Sequence, residues 1–489
     1  MRPTFFWALL LLPAGLTAGQ PRQATPASRP TLSISAYKKA GDADFTQAAQ
    51  RAIRALAGRG GGVLTYPAGT FVQGPVEITG SNITVRGAGP TRTKIVRNSV
   101  RGYAFFANGK RNVRIQNLSI NCDKSPIEGG VYFGGTTNCW AENVGVSRAD
   151  AATFVISNLL FNKPGSALAT GNGFRNCTAS GQKRYHDVGG KSPFIAGDYA
   201  RNSRFERCTV TDSEADYFDS DNAPGTVFID CVARSTKGMS AYTGFWSEGE
   251  QTDSDHTVRW IRCRAYGFTN GFGVSERAKA TFQRCEAQDC RYAVRGVNHA
   301  FRVTISDFTA RRCGKGLENN DVAGVLAFTG PVTMTNVKTI GTLAKNSFSN
   351  YAASAFTDEQ TVLGPGCEFD KDVYVSYGNT GSRRVRLDGV TLHNSYVRYY
   401  NGDQTELHIS RSRFINGGIN GARIKQSRIT DNTRFTATNG ARTAIQLNLD
   451  NFNTTVDNTT VEGYEEVSNK ARLGAGVRQI PARRVPGPR

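Results

Sequence analysis

Five short phrases between Phe174 and Cys285 close on the same residue: Phe174-Arg-Asn-Cys177, Phe205-Glu-Arg-Cys208, Phe228-Ile-Asp-Cys231, Trp260-Ile-Arg-Cys263 and Phe282-Gln-Arg-Cys285. Their cysteines stand 31, 23, 32 and 22 residues apart. A unit of roughly 22–23 residues, lengthened by insertions in two gaps, accounts for all four spacings, and a period of that size marks a repeat architecture. The phrase continues without cysteine in Ile115-Gln-Asn-Leu118, Ala141-Glu-Asn-Val144, Ile305-Ser-Asp-Phe308 and Met334-Thr-Asn-Val337. Each is short, apolar at alternate positions and bounded by Gly, Asn or Asp, which is strand chemistry, and no regular helical pattern separates them.

A repeat made only of strands and turns cannot bury its apolar face alone. It must stack, each coil about 4.8 Å above the last, around one continuous core. Equivalent residues then form columns, and Leu118, Val144, Cys177, Cys208, Cys231, Cys263, Cys285, Phe308 and Val337 are predicted to share one interior column. In such a column a cysteine serves as a small buried hydrophobe, so these five thiols are expected to be unpaired. Cys290 and Cys313, 23 residues apart, should stack in the same way. Of the remaining cysteines, Cys122 and Cys139 are the best pair for a disulfide. No Cys or His spacing resembles a zinc site.

The start of the chain has the form of a secretory leader: Arg2, an apolar run from Phe5 to Leu12, and small residues at Thr17-Ala18-Gly19. Residues 1–19 are therefore expected to be a signal peptide and 20–33 a linker, with the mature protein secreted or periplasmic. No later apolar run is long enough for stable membrane insertion. Asp44 to Leu56 carries Phe45, Ala48, Ala49, Ala52, Ile53 and Leu56 on one face and predicts an amphipathic helix, the natural lid for the open end of a solenoid core.

Around that helix the chain resembles a known superfamily. Ile34-Ser-Ala-Tyr37, Asp44-Phe-Thr46, the Ala-rich helix, Gly60-Gly-Gly-Val63, Tyr66-Pro-Ala-Gly69-Thr-Phe71 and Ile83-Thr-Val-Arg-Gly87-Ala-Gly89 are similar to the opening of the pectate-lyase-like superfamily. The resemblance implies an all-β, right-handed parallel β-helix that acts on a polysaccharide. On this reading the β-helix and its N-terminal cap run from 34 to 461, and 462–489 is a C-terminal cap and basic tail. Residues 341 to 384 break the rhythm and predict a long excursion.

In the central coils a second phrase follows each cysteine phrase: Phe194-Ile-Ala-Gly-Asp198, Phe218-Asp-Ser-Asp221, Phe245-Trp-Ser-Glu248, Phe272-Gly-Val-Ser-Glu276-Arg277 and Val294-Arg295-Gly-Val-Asn298-His299. If the leading apolar residue points inward, alternation turns Asp219, Asp221, Trp246, Glu248 and Arg295 outward. Asp198 and Glu276 sit one position further on, at the strand ends. Like charges at adjacent-coil spacing repel unless a proton or cation intervenes. Three readings of the column follow: a Ca²⁺ site through Asp198, Asp221 and Glu248, a glycosidase pair, or turn-capping side chains. Two insertions frame the column. They bring Lys183, Tyr185 and His186 from one side and Lys237, Tyr242, Trp246 and His256 from the other, with His299 beyond, as candidate sugar-binding residues and, for the two loop histidines His186 and His256, candidate acid/base groups.

Lys and Arg number 60 against 40 Asp and Glu, a formal net charge of +20, and no nucleic-acid motif accompanies them. An acidic polysaccharide is the partner this charge favours. The leading functional expectation is β-elimination of a uronate polymer, a lyase assignment that comes mostly from the resemblance. Asp219, Asp221, Glu248 and Glu276 supply the chemistry, and Arg277 or Arg295 clamps or deprotonates the uronate. The alternatives are a glycoside hydrolase using two of those carboxylates, or a non-catalytic carbohydrate-binding surface protein. Monomer and trimer are equally compatible with the repeat.

Overall fold

The computed structural model describes residues 29–123, 129–150, 152–158, 167–182, 192–197, 200–249, 256–275, 278–297, 302–352, 360–377, 383–400, 402–421, 424–438, 443–447 and 454–481. These form a parallel β-helix of two sheets, one of thirty-one strands and one of sixteen. The smaller sheet takes successive single strands from the coils, and the larger takes two strands per coil that meet at a corner. The corner explains the repeated phrase. Asn117, Asn143, Asn176, Arg207, Asp230, Arg262, Arg284, Asp307 and Asn336 all have φ between 50° and 58°, the left-handed region. Asn and Asp enter that region at least cost among residues with a side chain. The corner residues also tie coil to coil: Asn143 Nδ2 donates to Asn117 Oδ1 at 2.8 Å, and Arg262 Nε to Asp230 Oδ1 at 2.6 Å.

The residue after each corner turns inward, and the predicted column forms in full. Val144 is in register with Leu118, and the pairings on either side of the cysteines carry the column through Cys177, Cys208, Cys231, Cys263 and Cys285 to Phe308 and Val337. Cys367 occupies the next rung, beside the Lys338–Glu368 pair. All ten cysteines are buried and unpaired. The Cys208 thiol lies within hydrogen-bonding reach of both Cys177 and Cys231, and burial holds it well above the usual thiol range. A Cys122–Cys139 disulfide does not form. Cys139 receives the N–H of Val113 at one end of the strand Arg114–Asn121, and Cys122 follows its other end.

Aromatic ladders fill the rest of the core. Phe194, Phe218, Phe245 and Phe272 stack at centroid separations of 5.1, 4.7 and 4.9 Å. Across from them stand Phe205 and Phe228 at 4.6 Å and Trp260 and Phe282 at 4.7 Å. The capping helix, Thr46–Ala57, starts two residues later than predicted, because the Asp44 carboxylate accepts the Thr46 N–H at 2.8 Å and so precedes the first turn. Its face of Ala48, Ala49, Ala52, Ile53 and Leu56 closes the first coil. Among the described residues no helix is long and apolar enough to cross a membrane.

The excursion expected at 341–384 is a correction. Asn346–Ala352, Gln360–Leu363, Glu368–Phe369 and Asp372–Tyr377 are strands of the regular coils, and the lost rhythm reflects inserted residues rather than a departure from the solenoid. Strand pairing runs from Thr31–Ser33 to Arg478–Ile480, beyond both ends of 34–461.

Candidate functional site

The smaller sheet aligns Phe194–Ala196, Phe218–Asp221, Ser240–Glu248, Phe268–Ser275 and Tyr292–Gly296 side by side. The leading aromatic of each phrase is interior, which sends alternate residues outward. On the outer face Ile195, Asp219, Trp246, Gly273 and Arg295 form one column, and Asp221, Glu248 and Ser275 a second. Asp221 and Glu248 are thus direct neighbours, about 4.8 Å apart along the coil stack. Asp219 and Glu248 are diagonal, about 8 Å apart at Cα by strand geometry.

Asp216 joins this group, and sequence alternation missed it. It precedes Phe218 at a position whose parity would point inward. The strand Ser240–Glu248 carries an irregularity between Ser240 and Thr243, and there the Thr243 N–H donates to Asp216 Oδ1 at 2.6 Å. The only hint in the sequence was a third acid just ahead of the Phe-Asp-Ser-Asp phrase.

Four carboxylates therefore meet on two adjacent coils. Burial pushes the Asp219 carboxyl well above the usual carboxylate range, and the charges of Asp221, Asp216 and Glu248 push it further, while the Ser192 hydroxyl, donating to Oδ2 at 3.1 Å, opposes them. Asp219 Oδ1 is shielded from water and has no hydrogen-bond partner among the described residues. Protonation relieves that cost, since a buried unpaired charge is far more expensive than a buried acid. Burial also raises Asp216, with Glu248 contributing, against the hydrogen bonds from Thr243. One site thus sets a carboxyl whose proton is held more tightly than usual beside two further carboxyl groups, Asp221 and Glu248, in the next column, an arrangement suited to acid–base catalysis.

Trp246 builds the floor next to this group. Its indole lies over Gly273 on the following coil, where a Cβ would come within 2.2 Å of the ring. Its Nε1–H donates to Glu248 Oε2 at 3.1 Å, which fixes the ring and one carboxylate together. Arg295, the next residue in that column, packs 5.0 Å from the Tyr292 ring centroid. Lys237 and Tyr242 line a cleft of about 470 Å³ that also includes Arg148, Asp212, Glu214 and Tyr217, at the edge of the sheet where Asp216 sits.

The structure thus brings Asp219, Asp221, Glu248 and Trp246 together, with Arg295 one coil past Gly273 and Lys237 and Tyr242 at the rim. Lys183, Tyr185, His186, Asp198, Glu276, Arg277 and His299 lie outside the described residues. His256 is not on this face. It is fully buried inside the coil, with Nε2 2.9 Å from the Ser247 hydroxyl, so it is a core residue and not a surface acid or base. Among the described residues no three His, Cys, Asp or Glu side chains converge as a metal cage. Of the expected Ca²⁺ ligands, Asp221 and Glu248 are adjacent, but Glu248 already accepts the Trp246 N–H.

No protein-family model matches the chain, and no characterised protein matches its sequence. Solved structures do match in fold. The tailspike protein of E. coli bacteriophage HK620, a mutant in complex with pentasaccharide, is 12% identical over 89% of this chain and 78% of its own, with a TM-score of 0.52. Geobacillus virus E2 ORF18 is 16% identical over 63% of this chain, with a TM-score of 0.50, and the match spans 61% of that protein. The catalytic unit of a GH87 α-1,3-glucanase from Streptomyces thermodiastaticus is 14% identical over 93% of this chain and 70% of its own, at a TM-score of 0.43. What the chain shares with the first two is the parallel β-helix scaffold.

Proposed function

We propose that this protein is an exported glycoside hydrolase that cleaves a polysaccharide lying across the Asp219–Glu248 face. The observation that carries this reading is Asp219, with its Oδ1 shielded from water and unpartnered among the described residues, beside the adjacent carboxyl groups of Asp221 and Glu248. Asp219 donates its proton to the departing glycosidic oxygen. Asp221 or Glu248 accepts a proton from the attacking water. Glu248 stands on the coil next to Asp219 and diagonal to it, so acid and base approach the sugar from neighbouring coils. Trp246 offers an aromatic face for a sugar ring, and its bond to Glu248 couples ring position to the catalytic carboxylate.

The β-elimination expected from the resemblance needs a cation at the sugar carboxylate beside the base. Arg295, the nearest cation to Asp219 in its column among the described residues, stands three coils away and packs on Tyr292. Four clustered carboxylates also repel a uronate at the point of cleavage.

The test is a panel of neutral and acidic polysaccharides, with and without Ca²⁺, scored for new reducing ends and for the ultraviolet absorbance of an unsaturated product. Reducing ends without that absorbance support the hydrolase. Unsaturated product restores the lyase. Binding with no product of either kind leaves a carbohydrate-binding protein.

A further inference from the structure

A second concavity, of about 460 Å³, lies on the outer face of the larger sheet, far along the chain from the carboxylate group. Its wall is one column of consecutive coils. Arg386 is in register with His408, and His408 with Arg428. All three side chains are exposed. Adjacent coils are about 4.8 Å apart, so three basic or potentially basic groups line a strip about 10 Å long with no acid in their own column, while Glu406 and Asp431 line the concavity beside it.

Stacking like charges on neighbouring strands is unfavourable. Elsewhere on this sheet the chain avoids it by placing a carboxylate on the adjoining coil: Arg175 has Glu206 at 2.6 Å, Arg311 has Glu286 at 3.2 Å, and Lys338 has Glu368 at 2.8 Å. The acids near the concavity are already engaged. Glu406 takes Arg384 at 3.2 Å, Asp388 takes Arg411 and, at 3.2 Å, Arg386, and Asp431 accepts the Thr430 hydroxyl at 3.3 Å. Arg428 and His408 remain directed to the concavity's surface without a carboxylate in their column.

We infer that this strip is a binding site for a carboxylate-bearing polysaccharide, separate from the catalytic face. A guanidinium presents a planar fork of donors that matches a carboxylate. Arg428 presents such a fork, and Arg386 two coils away shares its own with Asp388, so together they suit carboxylates spaced along a polymer on the solenoid axis better than one small anion. The site anchors the polymer by its carboxylates and leaves cleavage, at an uncharged sugar, to the other sheet, which reconciles a basic protein with an acidic catalytic group.

The experiment is affinity electrophoresis of the full chain carrying Asp219→Asn, so that no substrate is consumed, through gels containing polygalacturonate or dextran. Polygalacturonate should retard the protein and dextran should not. Arg386→Ala with Arg428→Ala should weaken the retardation about tenfold or more, the scale of one lost charge-assisted hydrogen bond. Arg413→Ala, on the same sheet outside the concavity, should leave it unchanged, and Arg428→Lys should recover only part of the affinity. No retardation by polygalacturonate, or equal retardation of the double variant, overturns the site. Neither result depends on whether the carboxylate group hydrolyses anything.

Discussion

The larger sheet and the Asp219 group of the smaller sheet use acidic side chains in opposite ways. On the larger sheet carboxylates meet guanidinium groups from neighbouring coils: Asp230 with Arg262 at 2.6 Å, Asp289 with Arg312 at 2.8 Å, Glu206 with Arg175 at 2.6 Å. Arg262 holds the Asp230 carboxyl below its usual range, and Arg312 does the same for Asp289. At the Asp219 group on the smaller sheet carboxylate stacks on carboxylate, and Asp216 and Asp219 are raised, whereas further along the same sheet Asp372 meets Arg398. Identical residue types on one scaffold thus serve to hold coils together in one place and to store unfavourable charge in another. Stored repulsion of this kind lowers stability, and chains retain it where function depends on it.

The sharpest break of that comparison is in activity. Asp219→Asn and Glu248→Gln should each lower turnover on a confirmed substrate by roughly 10²–10⁴-fold, the range of acid–base catalysis. Asp230→Asn on the other sheet should leave turnover unchanged. Equal losses from both sheets would mean that the carboxylate group acts only through folding. Trp246→Ala should chiefly raise KM, and by less than the carboxylate variants lower turnover. An unchanged KM would remove Trp246 from the sugar path.

Stability should divide the sheets by sign. Asp219 has a raised folded-state pKa, so its native form binds a proton that the unfolded form has lost. It therefore lowers stability progressively as pH rises above the unfolded value toward the folded one. Asp219→Asn should raise the melting temperature at pH 7–8 by roughly 1–3 °C, and the gain should vanish below the ordinary Asp pKa. Asp230 is depressed, so its contribution is present above the unfolded pKa and lost as pH falls through the folded one. Asp230→Asn should lower stability at neutral pH by at most about 1 kcal/mol, the scale of an exposed ion pair. A fall in melting temperature for both variants would contradict the contrast.

The core should tolerate a volume-conserving change. Cys231→Val should cost under about 1.5 kcal/mol, because Val144 and Val337 already fill rungs of that column and the volumes are close. Thiol titration should find no fast-reacting group in the native protein and ten after denaturation without reductant. Burial pushes the Cys122 thiol up to about 12, consistent with an inert native state. A count near eight would restore a Cys122–Cys139 bridge.

Much of this molecule was readable from its residues. A period-2 pattern repeated at near-constant spacing has one solution, a stack of coils, because each coil's apolar face needs the next to cover it. That reasoning placed the cysteine column, the Phe194–Phe272 ladder, the capping helix and the outward direction of Asp219, Asp221, Trp246, Glu248 and Arg295. Tertiary structure decided the rest. The left-handed corners at Asn117 through Asn336 fold two strands into one sheet, and alternation alone does not signal a change of backbone region. Asp216 enters the site through an irregularity opposite Thr243, and Cys367 enters its column across a spacing the repeat does not predict. Whether a given acid faces a guanidinium or another acid depends on which residues of neighbouring coils come into register. That register is set by insertions between strands, so the local sequence determined the direction of each side chain and the stacked coils alone determined its neighbour.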